Sequence, residues 1–305
     1  MGAFQPGNHV EMNGWLAIVN RHSGGTGAQA RLANILKDLS GQVEKTVFTE
    51  RPGHATELAM KAASYSGLAV VGGDGTLFEI LKGIDRKRQR VALIPAGRGN
   101  SLARDLGLLG KCLSLCTLDD TPQHIDLMEV TFKDVNGLEV QHSSASTVAL
   151  GYPAAVAKAA GGLSRCLDTF CYVAAAALVR PVSFDVEILR EDGSQKETRL
   201  KLFIASNTRH LANFRVFPNA SCRDGFIDLL ELDAGFFQQS IHNISGLFGS
   251  TLFRGDHVSR AKSVDLRLQH PQELLIDGEI IPDVVSVRIR VMPMALACIH
   301  RGASL

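Results

Sequence analysis

The chain has 305 residues, and its 32 Lys and Arg against 31 Asp and Glu leave a formal charge of +1. With 45% apolar and 21% charged residues the composition is globular, which excludes disordered and fibrous folds and, on global charge, a polybasic nucleic-acid binder. Residues 1–13 lack the order of a signal peptide, and the longest apolar runs, near 170–179 and 286–299, fall short of the roughly 20 residues that span a bilayer. Six cysteines show no CxxC spacing, so neither a zinc site nor a redox pair is expected, and a cytoplasmic protein is.

In chain order, residues 15–20 (WLAIVN) read as a strand stopped by Ser23-Gly24-Gly25-Thr26-Gly27. Residues 28–39 carry Ala30, Ala33, Leu36 and Leu39 on one helical stripe. A strand over 42–49, a helix over 54–64, a strand over 68–71, a helix over 77–84, a strand over 91–94 and a short helix over 102–106 follow. This alternation predicts an N-terminal doubly wound parallel α/β domain with helices on both faces, whose ligands sit beyond the carboxyl ends of the strands. After Asp126 the pattern turns to strands: 127–132, 139–149, 182–190, 199–205, 227–232, 263–268, 273–276 and 284–291. Helical stretches at 154–179 and near 236–253 interrupt them, and the whole suggests a C-terminal β-sandwich domain. The expected division is 1–126, 127–291, and a tail over 292–305 free to pack back on the first domain.

Three glycine-rich loops follow strands of the first domain. Gly25-Thr26-Gly27-Ala28-Gln29-Ala30 fits G-x-G-x-x-A, but Asn20-Arg21-His22-Ser23 separates it from its strand, so a plain strand–helix turn explains it equally well. Gly72-Gly73-Asp74-Gly75-Thr76 lies directly between a strand and a helix, where backbone N–H groups and a positive dipole end suit an anion. A carboxylate there repels phosphate, so Asp74 is better read as acting through a divalent cation than as a simple cap. In Pro95-Ala96-Gly97-Arg98-Gly99-Asn100-Ser101, Gly97 and Gly99 permit close approach, Arg98 offers a fork of donors, and Asn100 suits a base or a phosphate. Neither loop is a Walker loop, and two such loops at neighbouring strand ends suggest one bridging nucleotide. Asp277-Gly278 between apolar runs is a hairpin-turn signal by itself. The basic run over 86–90 suits a solvated loop or an anionic lipid surface.

Taken in order, Asn20…Ser23-Gly24, Thr49…Gly53-His54-Ala55, Gly72–Thr76, Pro95–Asn100, Asp126, Asp224-Gly225…Asp228 and Asp277-Gly278-Glu279 resemble the lipid kinase family of diacylglycerol, sphingosine and ceramide kinases, especially its soluble bacterial members. The resemblance covers nearly the whole chain. It implies ATP bound between the two domains by Asn20, Ser23, Gly24, Thr49, Gly72, Gly73, Asp74, Gly75, Thr76, Gly97, Arg98, Gly99 and Asn100. It also implies Mg2+ with Asp74 and Asp126 in its water network, a structural metal at Asp224 or Asp228, and Asp277 as general base with Glu279 nearby. The expected acceptor is diacylglycerol, with a sphingoid base or ceramide as alternative, taken from a membrane surface by peripheral contact; a homodimer is compatible. Three departures stand out: Arg21-His22 where many members have Pro, Arg98 for Thr or Ser, and Ser101 where soluble bacterial diacylglycerol kinases carry an Asp. Rival readings are an NAD kinase sharing the Gly72–Thr76 loop, a dinucleotide-dependent oxidoreductase built on Gly25–Ala30, and a nucleotide-binding protein without turnover.

Overall fold

The computed structural model describes residues 13–24, 28–97, 99–109, 118, 121–162, 175, 178–211, 214–233 and 258–299. Its first part is the expected alternation: β1 (Asn13–Asn20), α1 (Ala28–Leu39), β2 (Lys45–Thr49), α2 (His54–Met60), β3 (Tyr65–Gly72), α3 (Asp74–Gly83), β4 (Arg90–Pro95) and α4 (Ser101–Asp105). The strands pair in parallel in the order β2-β1-β3-β4. The residues of β1, β3 and β4 are buried on both faces, which is why they read as apolar runs, while β2 at the edge is only partly buried. Leu16, Ile18, Leu68, Val70, Val91 and Leu93 pack with residues of α2, α3 and α4, while Trp15, Ala17, Val19, Ala69, Val71 and Ile94 pack with Ile35 and Leu39 of α1. The sheet is therefore wound with helices on both sides. Differences of extent are local. The second strand starts only at Lys45, because Gln42 N–H turns back to Leu39 O. Helix α3 starts three residues ahead of the expected 77, since Asp74 opens its first turn.

The second part comprises β5 (Gln123–Asp134), β6 (Glu139–Ser144), β7 (Thr147–Gly151), α5 (Tyr152–Gly162), β8 (Phe184–Arg190), β9 (Gln195–Leu200), β10 (Leu202–Ser206), β11 (His210–Leu211), β12 (Phe214–Arg215), β13 (Ile227–Leu232), β14 (Val258–Ala261), β15 (Ser263–Ile276) and β16 (Glu279–Ile299). These strands enclose a core in which Met128, Val130, Phe132, Val148, Leu150, Phe203, Ile227, Leu266, Ile276 and Ile289 meet, giving the β-sandwich-like architecture. The outer face of β7, β10 and β13 is covered by Ala154 of α5 and by Val216 and Phe217.

Several strand boundaries correct the expectation. The single strand over 139–149 is two, broken at Ala145 and Ser146. The strand over 199–205 breaks at Lys201, whose N–H bonds Leu232 O. The runs 263–268 and 273–276 are one strand, β15, with irregular register between Arg267 and Gln272. Of the helix expected over 154–179, α5 covers Tyr152–Gly162, while 163–174, 176–177 and the whole of 236–253 lie outside the described residues.

Two elements join the parts. The long β16 runs along β15 and β5, and its end pairs in parallel with β4 through Cys298 and Ile299 opposite Val91 and Ala92, so that one 14-stranded sheet is continuous through the molecule. Helix α3 sends Leu77, Ile80 and Leu81 into the first core and Phe78 into the second. The helix that begins at Asp74 is thus fixed to both halves.

Candidate functional site

The two glycine loops at the carboxyl ends of β3 and β4 touch through their backbones. Ala96 and Gly97 N–H both donate to Gly72 O, at 2.9 and 3.2 Å. A Cβ on Gly97 would lie 2.4 Å from Gly73 Cα, and one on Gly72 would lie 2.5 Å from Thr76 Cβ, so side chains are excluded at both positions. No side chain caps α3, which leaves its first-turn N–H groups and positive dipole end to an anion. Open backbone donors of this kind suit an anion. Asn100 sits at φ 51° and is spent on shaping its own loop: its Oδ1 accepts from Gly97 N at 3.1 Å and its Nδ2 donates to Gly97 O at 2.6 Å. Gly99 lies in the same loop, and Arg98 lies outside the described residues. Across the sheet, Asn20 Nδ2 donates to Thr76 Oγ1 at 3.0 Å and Asn20 Oδ1 accepts His22 N at 2.9 Å. Thr49 is buried in register with Asn20, and Ser23 N turns back to Asn20 O just before Gly24, at φ 93°. The Gly25–Gly27 part of the rival dinucleotide motif lies outside the described residues.

Asp74 links the two loops. Its Oδ2 accepts Ser101 N at 2.9 Å, and the Leu102 N–H and Ser101 hydroxyl also bond the carboxylate, which therefore caps α4 from a distance. Burial pushes its pKa up from the ordinary range. Ser101 faces this carboxylate as a donor, where an Asp would set a second negative charge.

Asp277 and Gly278 form a two-residue hairpin turn between Ile276 and Glu279, and their φ values of 48° and 97° are those a type I′ turn requires. The Asp277 carboxylate is buried among four donors: Ser144 Oγ at 2.8 Å, Ser146 N at 3.0 Å and Thr147 N at 2.8 Å on Oδ1, and Ala145 N at 2.8 Å on Oδ2. Asp277 N–H in turn donates to Thr147 O at 2.9 Å. Burial raises its pKa to about 6 against the bonds that lower it, and the charge of Asp74 adds to the rise. The same hairpin brings Glu279 against the phosphate loop, with its Oε1 3.5 Å from where a Gly75 Cβ would stand. Turn and carboxylate site are thus one feature, set facing the open end of α3.

The four aspartates expected to hold metal are not gathered together. Among the described residues no group of three or more His, Cys, Asp or Glu is placed to hold an ion. Asp126 Oδ2 accepts Gly225 N at 2.7 Å and Oδ1 accepts Met294 N at 2.8 Å, so this buried carboxylate staples the 222–225 turn to the irregular stretch of β16. Asp224 is paired with the Arg260 guanidinium, which also lies 3.9 Å from Asp228 Oδ1. Burial raises the Asp228 pKa to about 6, and its Oδ2 is buried without a hydrogen-bond partner among the described residues. A cation of the chain itself already occupies the Asp224–Asp228 cluster, which does not fit a second metal. Asp74 is the remaining candidate, and one carboxylate combined with nucleotide phosphates is how Mg2+ is commonly held.

Some site residues escaped sequence reasoning. Ser144, the 145–147 backbone and Asn207 are examples; Asn207 Nδ2 bonds Asp126 O at 2.7 Å. Asp105 of α4, paired with His210, is another. Their partners lie far off in sequence, and only the Asp-Gly turn signal could have led to the first group.

Comparisons with known proteins agree with this fold. Residues 14–130 match the family model described as the diacylglycerol kinase catalytic domain, and residues 146–300 match the YegS C-terminal NAD kinase beta sandwich-like domain. A diacylglycerol kinase of Staphylococcus carnosus is 24% identical over 282 residues, 83% of this chain and 86% of that protein. Sphingosine kinase B of Dictyostelium discoideum is 37% identical over 83 residues, 24% of this chain and 11% of that protein. The crystal structure of a diacylglycerol kinase from Bacillus anthracis shares the fold, with a TM-score of 0.75 at 22% identity over 97% of this chain and 99% of that one.

Proposed function

The chain belongs to the diacylglycerol kinase-like family of lipid kinases, whose catalytic-domain and β-sandwich-like models it matches in succession, and we propose that it transfers the γ-phosphate of ATP, with Mg2+, to the hydroxyl of a lipid, diacylglycerol first. One observation carries this reading: a buried carboxylate, Asp277, is clamped on a rigid hairpin beside an open helix N-terminus that suits phosphate. Phosphoryl transfer needs positioning and charge neutralisation above all, with a base in reach of the acceptor hydroxyl. The backbone of Gly73–Thr76 and the glycines at 97 and 99 receive the phosphates, and Asn20 steadies Thr76 from the side. Asp277 Oδ2, the less occupied oxygen, takes the proton of the acceptor hydroxyl, and Glu279 closes the crevice at Gly75. Bound at Asp74 with the phosphates, Mg2+ would neutralise their charge. The remaining Asp126, Asp224 and Asp228 serve the scaffold.

The acceptor lies in a membrane, and no helix among the described residues is long and apolar enough to cross one, so contact at the surface is the expected mode. Incubation with labelled ATP, Mg2+ and a lipid panel tests the proposal: label on diacylglycerol supports it, and no label on any lipid overturns it. A second reading, transfer to a sphingoid base, is favoured by Ser101 and by the segment similar to sphingosine kinase B. The same panel decides between them.

A further inference from the structure

We infer that Ser144 is a positioning residue for Asp277: its hydroxyl completes the saturation of Oδ1, leaving Oδ2 as the proton-accepting oxygen aimed at the crevice. The inference rests on the reading of Asp277 as the base and adds to it the device that orients that base. The orienting device lies at the break between β6 and β7. A strand over 139–149 would send its N–H groups alternately to neighbouring strands. Instead, the consecutive N–H groups of Ala145, Ser146 and Thr147 all turn to one carboxylate. Such a run of backbone donors makes an anion-holding nest, here filled by a side chain of the chain itself.

The donors are unevenly shared. Oδ1 receives Ser144 Oγ, Ser146 N and Thr147 N, while Oδ2 receives Ala145 N alone. A carboxylate oxygen that accepts three donors has no free lone pair in reach of substrate, and the torsion of the group is fixed with it. The oxygen with one donor keeps its basicity. Backbone donors are supplied by any sequence that adopts this turn. Ser144 is the one side-chain donor in the set, it is fully buried, and a buried hydroxyl costs free energy unless its bond offsets the loss. Asp74 on α3 opposes ionisation of Asp277 by its charge, while Glu279 on the hairpin acts on Lys82.

The test compares wild type with Ser144→Ala, Ser144→Cys and Ser144→Thr, in kcat, in KM for ATP and lipid, and in thermal unfolding. Ser144→Ala is expected to lower kcat about 10- to 100-fold with both KM values within about twofold, the mark of an interaction felt in the transition state. Ser144→Cys restores the volume with a weak donor and should follow Ala in kcat. Ser144→Thr restores the hydroxyl and should recover most of kcat. A kcat for Ser144→Ala within about threefold of wild type, or Cys matching Thr, overturns the positioning role while leaving the kinase reading intact. A folded wild type that transfers to no lipid overturns the kinase reading, and this inference with it.

Discussion

Replacing Phe78 tests whether α3 ties the phosphate loop to the Asp277 hairpin. Phe78 is 1% exposed and sits in the core of the β-rich half although it belongs to a helix of the other half. Its ring meets His142 edge-on at 5.5 Å, and Lys82 Nζ stands 4.0 Å from its centroid. Phe→Ala in a closed core costs about 3–5 kcal/mol, and the edge contact contributes about 0.5–1.5 kcal/mol of that. Phe78→Ala should therefore lose about 4 kcal/mol in urea unfolding, and Phe78→Leu about 1.5 kcal/mol. At a temperature where Phe78→Ala is still folded, ATP should bind nearly as in wild type while kcat falls, because the loop and the base lose their common support. A loss under about 1 kcal/mol, or an unchanged kcat, would refute the view that α3 joins the two halves rigidly.

Gly97→Ala should weaken ATP binding at least about tenfold, read by calorimetry, because the new methyl meets the Gly73 backbone at 2.4 Å and forces the loops apart. Asp228 adds a pH signature. Its folded pKa of about 6 lies above the ordinary 3.8, so its stabilising contribution is full below about pH 4 and lost as pH rises through 6. Between about pH 5 and about pH 7.5 the wild type should lose about 1 kcal/mol relative to Asp228→Asn in denaturant titrations, and parallel curves would contradict this. A general base acts in its ionised form, so kcat should instead rise as Asp277 ionises through about pH 6, and a flat profile down to about pH 5 would dismiss Asp277 as the base.

How far the sequence could be read depended on whether a feature was local. The loops at Gly72–Thr76 and Gly97–Asn100 were legible because strand, glycines and helix follow one another directly, and Asp277-Gly278 because Asp-Gly suits positive φ at both turn positions. The break at Ala145–Ser146 was not, since its cause is a carboxylate 130 or more residues away. The resemblance places Asp126 in the Mg2+ water network, while the partners its two oxygens meet in the fold, Gly225 and Met294, lie 99 and 168 residues away and gave no local signal. Arg260 gave no signal at all, because a lone Arg on a short strand is unremarked until Asp224 folds against it. The halves of β15 looked separate because Pro271 and the polar residues before it interrupt the apolar alternation where the register shifts.

The most direct measurement is transfer of labelled phosphate from ATP to lipid by wild type and by Asp277→Asn, alongside nucleotide binding to both. Asn tolerates the left-handed backbone at 277, so the hairpin should persist. The account predicts label on diacylglycerol with wild type, near-complete loss with Asp277→Asn, and ATP affinity little changed. Transfer by Asp277→Asn at the wild-type rate would contradict it.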